Sequence, residues 1–174
     1  MIPVHVFLIG MAGSGKTSLG KKLAAQLDLP FLDTDERVGE MMGMAPSEVY
    51  VRFGEDFFHN AETGVLIELV DELPCVVSTG GGLPLVKENV QLMQNHGIII
   101  LIDRPLDQIL SDIRTQSRPS LGAGGHEEVI HEYNQRIGFY RACADYTLEN
   151  DHGFLVGAQG LATLVGDIFA PQLQ

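Results

Sequence analysis

This sequence predicts an α/β fold, a parallel sheet covered on both faces by helices, and three observations predict it. Apolar runs with β-branched character recur at 4–9, 31–32, 76–77, 98–102 and 146–148, as expected of short strands buried on both faces. Helical patterns lie between them, and this alternation implies parallel strands joined by crossover helices. The first run ends in Gly10, and the spacing Gly10-x4-Gly15-Lys16-Thr17 that follows is that of a phosphate-binding loop between a strand and a helix. No repeat, low-complexity tract or Pro/Gly/Ser linker divides the chain. Residues 1–174 are therefore expected to form a single domain, long enough to bury roughly 70% of its unfolded surface.

The residue types in the loop are those its chemistry needs. Gly10, Gly13 and Gly15 can take backbone angles that let successive N–H groups curl around an anion. Lys16 can reach the β- and γ-phosphates, and the Thr17 hydroxyl is placed to ligate Mg²⁺. A helix from residue 18 to about 27, with Leu19, Leu23 and Leu27 four apart, aims its N-terminal dipole at the phosphates. A strand before the full pattern and a helix after it point to a nucleoside triphosphate, with Gly10, Ala12, Gly13, Ser14, Gly15, Lys16, Thr17 and Ser18 as its candidate ligands.

The second strand ends Asp33-Thr34-Asp35. Ligands of an open parallel sheet sit beyond the carboxyl ends of its strands, and residues two apart in an extended chain face the same side. One carboxylate there can support the Mg²⁺ shell; the other can accept a hydrogen bond from an acceptor hydroxyl and take its proton. Taken alone, the same three residues also read as a helix N-cap with a turn. Residues 36–73 are too long for one crossover helix, so a helical insertion is expected, with starts at Pro46-Ser47-Glu48 and at Glu55-Asp56. The third strand ends Ser78-Thr79-Gly80-Gly81-Gly82, where the lack of any Cβ lets a ligand touch the backbone.

A helix near 84–95 carries Leu85, Leu92 and Met93 as core. The glycine-rich, polar stretch 117–128, which holds Arg118, reads as a mobile lid, of the kind that keeps water from a reacting phosphate. The last helix shows Leu161, Leu164, Val165, Ile168 and Phe169 at helical spacing. Cys75 and Cys143 are far apart, fit no metal spacing and read as buried thiols. The six histidines form no ligand pattern.

The net charge of −12 argues against nucleic acid, whose binding needs a basic face. No apolar run approaches the ~20 residues of a membrane span, and the chain enters its first strand directly, so a soluble cytoplasmic protein is expected. An acidic protein that handles phosphates must concentrate its few cations. Of the eleven Lys and Arg residues, Lys16, Arg114, Arg118 and Arg136 fall in segments that can face the nucleotide or its acceptor. The others read as solvated surface charge.

Together these motifs resemble the shikimate kinases, a branch of the P-loop, nucleoside-monophosphate-kinase-like enzymes. The resemblance runs almost the whole length. It rests on Gly10-x-x-Gly13-x-Gly15-Lys16-Thr17, Asp33-Thr34-Asp35, Phe53-Gly54-Glu55 with Glu62, and Thr79-Gly80-Gly81-Gly82. Further on come Arg114-Thr115, Arg118-Pro119 and Arg136-x-x-x-Tyr140-Arg141-x-x-Ala144-Asp145. It implies a three-layer P-loop kinase fold with a five-stranded parallel sheet in the order 2-3-1-4-5, an acceptor-binding insertion at about 35–62 and a lid at about 115–128. The implied activity is transfer of the ATP γ-phosphate to the 3-hydroxyl of shikimate by a monomer. By the same resemblance, Thr17 and Asp33 would organise Mg²⁺, Asp35 would grip the acceptor hydroxyls, and Gly80, Gly81 and Gly82 would approach the acceptor. Arg118 would stabilise the transferring group, Arg136 would bind the acceptor carboxylate and Arg114 would lie near adenine.

One departure bears on the acceptor. The family's insertion normally reads Phe-Arg-x-x-Glu, its arginine joining a second one at the shikimate carboxylate, whereas here the segment is Phe58-His59-Asn60-Ala61-Glu62. Arginine is a permanently charged planar fork; an ordinary histidine is mostly neutral at pH 7. Losing one charge-assisted set of hydrogen bonds costs about 1.5–3 kcal/mol. Either His59 partly replaces the arginine, or a residue such as Arg52 does, or the pocket takes another hydroxylated acid such as gluconate. A nucleotide-binding regulator without catalysis is a further alternative, disfavoured because Lys16, Asp33, Asp35, Arg118 and Arg136 are all present. Two smaller departures are Gly138, in the helix that carries Arg136, and the short spacing between Arg114 and Arg118, which weakens the adenine assignment.

Overall fold

The computed structural model describes residues 2–115 and 125–170, the side chains of 113–115 excepted. β1 (His5–Ile9) runs into α1 (Lys16–Leu27) and β2 (Phe31–Asp33). The expected insertion follows as α2 (Thr34–Met42), α3 (Pro46–Phe53) and α4 (Glu55–Leu69). After β3 (Val76–Ser78) and a single 3₁₀ turn (Leu83–Leu85) come α5 (Lys87–His96), β4 (Gly97–Asp103), α6 (Leu106–Thr115), α7 (Gly125–Cys143), β5 (Tyr146–Glu149) and α8 (Phe154–Phe169). The strands form one sheet in the order β2-β3-β1-β4-β5, every pair parallel.

Alternation along β1 divides the interior. Val6 and Leu8 pack with Leu19, Leu23, Leu161 and Val165 from α1 and α8. Phe7 and Ile9 pack on the other face with Leu66, Met93, Ile109 and Tyr140 from α4 to α7. Strand pairing on both sides and helices on both faces leave β1 fully buried, as its continuous apolar run requires. The order reverses beside β1, so the loop after it opens into the crevice where α/β sheets place ligands. A smaller cluster of Val38, Val49, Phe58 and Val65 holds α2, α3 and α4 together.

Several expectations change. Asp33-Thr34-Asp35 is not extended: Asp33 ends the strand and caps α2, its Oδ1 accepting from the N–H groups of Asp35 and Glu36 at 3.1 and 3.3 Å. Capping satisfies amides that would otherwise be orphaned. Pro84 lies in the 3₁₀ turn, α5 starts at Lys87, and Leu85 is exposed rather than core. Cys75 is buried as expected, but Cys143 is only half-buried. Cys75 meets His5, whose Nδ1 accepts its N–H at 3.2 Å. Burial pushes the thiol up to about 11, so this is an inert structural contact. Gly138 has no neighbour a Cβ would meet. The lid expected at about 115–128 falls largely on 116–124, outside the described residues; 125–128 open α7. No described helix is long and apolar enough to cross a membrane.

Candidate functional site

The loop after β1 has four of its carbonyl oxygens tied up by side-chain donors, which leaves its N–H groups to an incoming anion. Lys16 Nζ donates to Gly10 O and Met11 O, both at 2.8 Å. Arg104 Nη1 donates to Gly13 O at 2.9 Å, and Asn150 Nδ2 to Ser14 O at 2.8 Å. Gly10, Gly13 and Gly15 all have positive φ, as the curled loop requires. Lys16 is buried, and burial lowers its ammonium to about 8 against the pull of Asp35, Asp33 and Glu62. Such a cation is under-solvated and gains most from an arriving phosphate.

Arg104 was expected on the solvated surface and is not there. It is largely buried between Gly13 and Asp112, whose Oδ2 lies 2.6 Å away, and it lines the cleft above the loop. Its position just past the carboxyl end of β4 was the signal that could have found it.

That cleft, about 350 Å³, runs between Gly13, Lys16 and Ser18 on one wall and Asp35, Thr79 and Gly81 on the other. A second cleft of about 370 Å³ between β2, α2 and α4 is rimmed by Glu36, Glu40, Glu68 and Glu72, the wrong sign for phosphate. In the first cleft, Thr17 Oγ1 donates to Asp33 Oδ2 at 2.7 Å and lies 3.2 Å from Ser78 Oγ. One Asp33 oxygen thus caps α2 while the other faces Thr17. A hydroxyl and one carboxylate oxygen beside a phosphate site suit Mg²⁺, which takes few protein ligands and completes its shell with phosphate and water. No group of three or more His, Cys, Asp or Glu fit to hold a metal occurs among the described residues.

The far wall is organised by the three glycines, none of which has positive φ. Close approach is what requires them. A Cβ on Gly80 would strike the carboxyl oxygens of Glu62 and Asp35, and one on Gly82 would strike the His59 ring. At Gly81 it would lie 3.0 Å from Arg136 Nη1 and 3.3 Å from Tyr140 Oη. Tyr140 Oη donates to Gly81 O at 2.7 Å. Gly80 N donates to Thr34 Oγ1 at 2.8 Å, and Thr34 Oγ1 donates to Glu62 Oε1 at 2.9 Å. Asp35 from α2, His59 and Glu62 from α4, and Arg136 from α7 therefore meet on one short stretch of backbone. Arg136 also pairs with Glu132 at 3.4 Å. Arg52 is exposed and pairs with Glu48 at 2.7 Å. Arg118 and the side chain of Arg114 lie outside the described residues.

Glu62 is the site residue that sequence reasoning left without a role. Burial and then Asp35 push its carboxyl up to about 9, and burial raises Asp35 as well. Its signal was a carboxylate in the buried stripe of α4, among Phe58, Val65, Leu66 and Leu69, one turn from His59 and on the same face.

A phosphate loop on one wall and a polar, carboxyl-bearing pocket on the other, joined across Lys16, define a class: a P-loop phosphotransferase. The model of a family described as Shikimate kinase matches residues 12–154. A shikimate kinase of Clostridium beijerinckii is 36% identical over 146 residues, 84% of this chain and 85% of that protein. A solved shikimate kinase from Acinetobacter baumannii, in complex with shikimate, superposes with a TM-score of 0.87 at 27% identity, covering 99% of this chain and 97% of the other. A gluconokinase from Sinorhizobium meliloti reaches a TM-score of 0.58 at 16% identity over 97% of each chain, a likeness of fold alone. The chain belongs to the shikimate kinase family.

Proposed function

We propose that this protein transfers the γ-phosphoryl group of ATP to the 3-hydroxyl of shikimate, with Mg²⁺ as the required cation. The observation that carries the reading is the convergence of Asp35, His59 and Arg136 on the triglycine wall, across the cleft from Lys16. Phosphoryl transfer asks a protein for in-line placement and neutralised charge. Lys16 and the N–H groups of residues 12–18 hold the phosphates, with Arg104 bracing the loop at Gly13 O from the cleft side. Thr17 and Asp33 hold Mg²⁺, which when bound would offset phosphate charge. Asp35 accepts the hydrogen bond of the reacting hydroxyl and takes its proton as the oxygen attacks phosphorus. Arg136 binds the acceptor carboxylate, and Gly80, Gly81 and Gly82 shape the floor. Arg118 is assigned to the transferring group, and Arg114 to the nucleotide, from the family resemblance alone. The domain is taken to be one unit over 1–174, with the acceptor insertion at about 35–62, acting as a cytoplasmic monomer.

An ADP-coupled assay over a panel of hydroxy acids tests this. ADP release is expected to require both shikimate and Mg²⁺, with gluconate inert. Turnover of gluconate but not shikimate would replace the acceptor, and binding of ATP without turnover of any acid would indicate a regulator.

His59 gives the pocket a specific weakness. Beside Gly82 it offers the acceptor carboxylate an imidazole where an arginine would offer a charged fork. His59→Arg is expected to lower the shikimate KM about tenfold or more with little change in kcat, since the contact acts on ground state and transition state alike. An unchanged KM would remove His59 from the carboxylate subsite.

A further inference from the structure

The guanidinium assigned to the acceptor carboxylate already holds a carboxylate of the chain itself. Arg136 and Glu132 stand one turn apart on α7, with Arg136 Nη1 lying 3.4 Å from Glu132 Oε2. That nitrogen is also the one that faces the cleft, since a Cβ on Gly81 would lie 3.0 Å from it. Glu132 therefore engages the same atom that an incoming carboxylate would need. The two side chains are mostly withdrawn from water, 18% exposed for Arg136 and 32% for Glu132, so solvent screens the pair less than it would on an open helix face. Tyr50 of α3, edge-on to Phe58 with ring centres 5.9 Å apart, is within electrostatic reach of Glu132 and Arg136 alike. The pair thus sits where the insertion meets α7, beside the triglycine wall. Few other donors are at hand there. Tyr140 Oη spends its hydrogen on Gly81 O, Arg52 is taken up by Glu48 at the surface, and His59 stands over Gly82.

We propose that Glu132 is a built-in competitor for the acceptor carboxylate and sets how tightly this pocket takes its acceptor. Before the acceptor arrives, Glu132 neutralises Arg136. An anionic acceptor must either push it off the guanidinium or bind beside its charge, and both lower affinity. Glu132 meets no reacting atom, so its effect falls on ground state and transition state alike, on KM rather than on kcat. The competition is with a carboxylate, so an uncharged acceptor gains nothing when Glu132 is removed. The proposal rests on the reading that Arg136 serves the acceptor carboxylate, and its test separates the two.

Steady-state kinetics of Glu132→Gln and Glu132→Ala test it, with shikimate and with its uncharged methyl ester, the ester read as a KM or as an inhibition constant against shikimate. Both variants are expected to lower the shikimate KM about three- to tenfold, with kcat and the ATP KM unchanged. The alanine variant guards against a glutamine amide that still bonds Arg136. The constant for the ester should not improve, because the ester carries no charge for Glu132 to oppose. A shikimate KM that rises in both variants overturns the proposal, since Glu132 would then be holding Arg136 in place for the acceptor. An equal gain for the ester overturns it too, because the effect would not act through the carboxylate. If wild type turns over shikimate and neither variant changes its KM, this proposal alone falls. If none of the three proteins turns over shikimate, the acceptor reading falls and takes the proposal with it.

Discussion

Lys16→Met should lose at least about 10³-fold in kcat/KM while melting about 2–5 °C higher than the wild type near pH 7. Both halves have one cause. Lys16 is buried, and its ammonium is lowered to about 8 from an ordinary 10.5, chiefly by desolvation. A base with a folded pKa below its unfolded value binds fewer protons when folded, between about pH 8 and 10.5. Stability therefore rises with pH across that window, and below it the folded state carries the charge at a cost. Methionine fills similar space without the charge. The phosphates, however, lose the cation that meets their developing charge. Thermal melts and turnover on the same preparation check the pair of outcomes. A variant that is inactive because it is destabilised would not support the assigned role, and one with near-normal turnover would contradict it.

The parts of this site that were legible in the sequence are those whose chemistry is local. The Gly10 to Thr17 spacing announces its own backbone geometry, and positive φ at Gly10, Gly13 and Gly15 follows from it. Sheet order is not local. Apolar runs give strands but not their sequence across the sheet, and the order 2-3-1-4-5 came with the family resemblance. Asp33-Thr34-Asp35 shows how two readings of one motif can both hold. Cap and candidate metal ligand looked like rivals, yet a carboxylate has two oxygens, and Asp33 points one at each task. The extended conformation failed because capping starts α2 immediately at Thr34.

Arg104 and Glu62 were less legible because their meaning depends on what tertiary packing brings beside them. An arginine after a strand is ordinarily solvated; here the crossover from β4 to α6 sets it against Gly13 O and Asp112. The three glycines were read as room for a ligand. Their nearest neighbours in the fold are the site's own side chains, packed so tightly against the backbone that a Cβ has no place.

Asp35→Asn should remove most activity, about 10²-fold or more, and should change the pH dependence of stability in a way that simple damage would not. In the wild type Glu62 has a folded pKa of about 9 against an ordinary 4.5, from burial and from Asp35. The folded state thus holds a proton that the unfolded chain releases. The stabilising contribution is fully present below about pH 4.5 and is lost progressively as pH rises to about 9. With asparagine at 35 the nearer like charge is gone, leaving burial and the more distant Asp33, so Glu62 titrates lower and the decline flattens. The variant is expected to match the wild type near pH 4 and to melt about 2–5 °C above it near pH 8. A melting series from pH 4 to 9 decides the matter. If Asp35→Asn is less stable than wild type at pH 8, the two carboxyls are not in conflict, and the contact between α2 and α4 is held together by that charge rather than in spite of it.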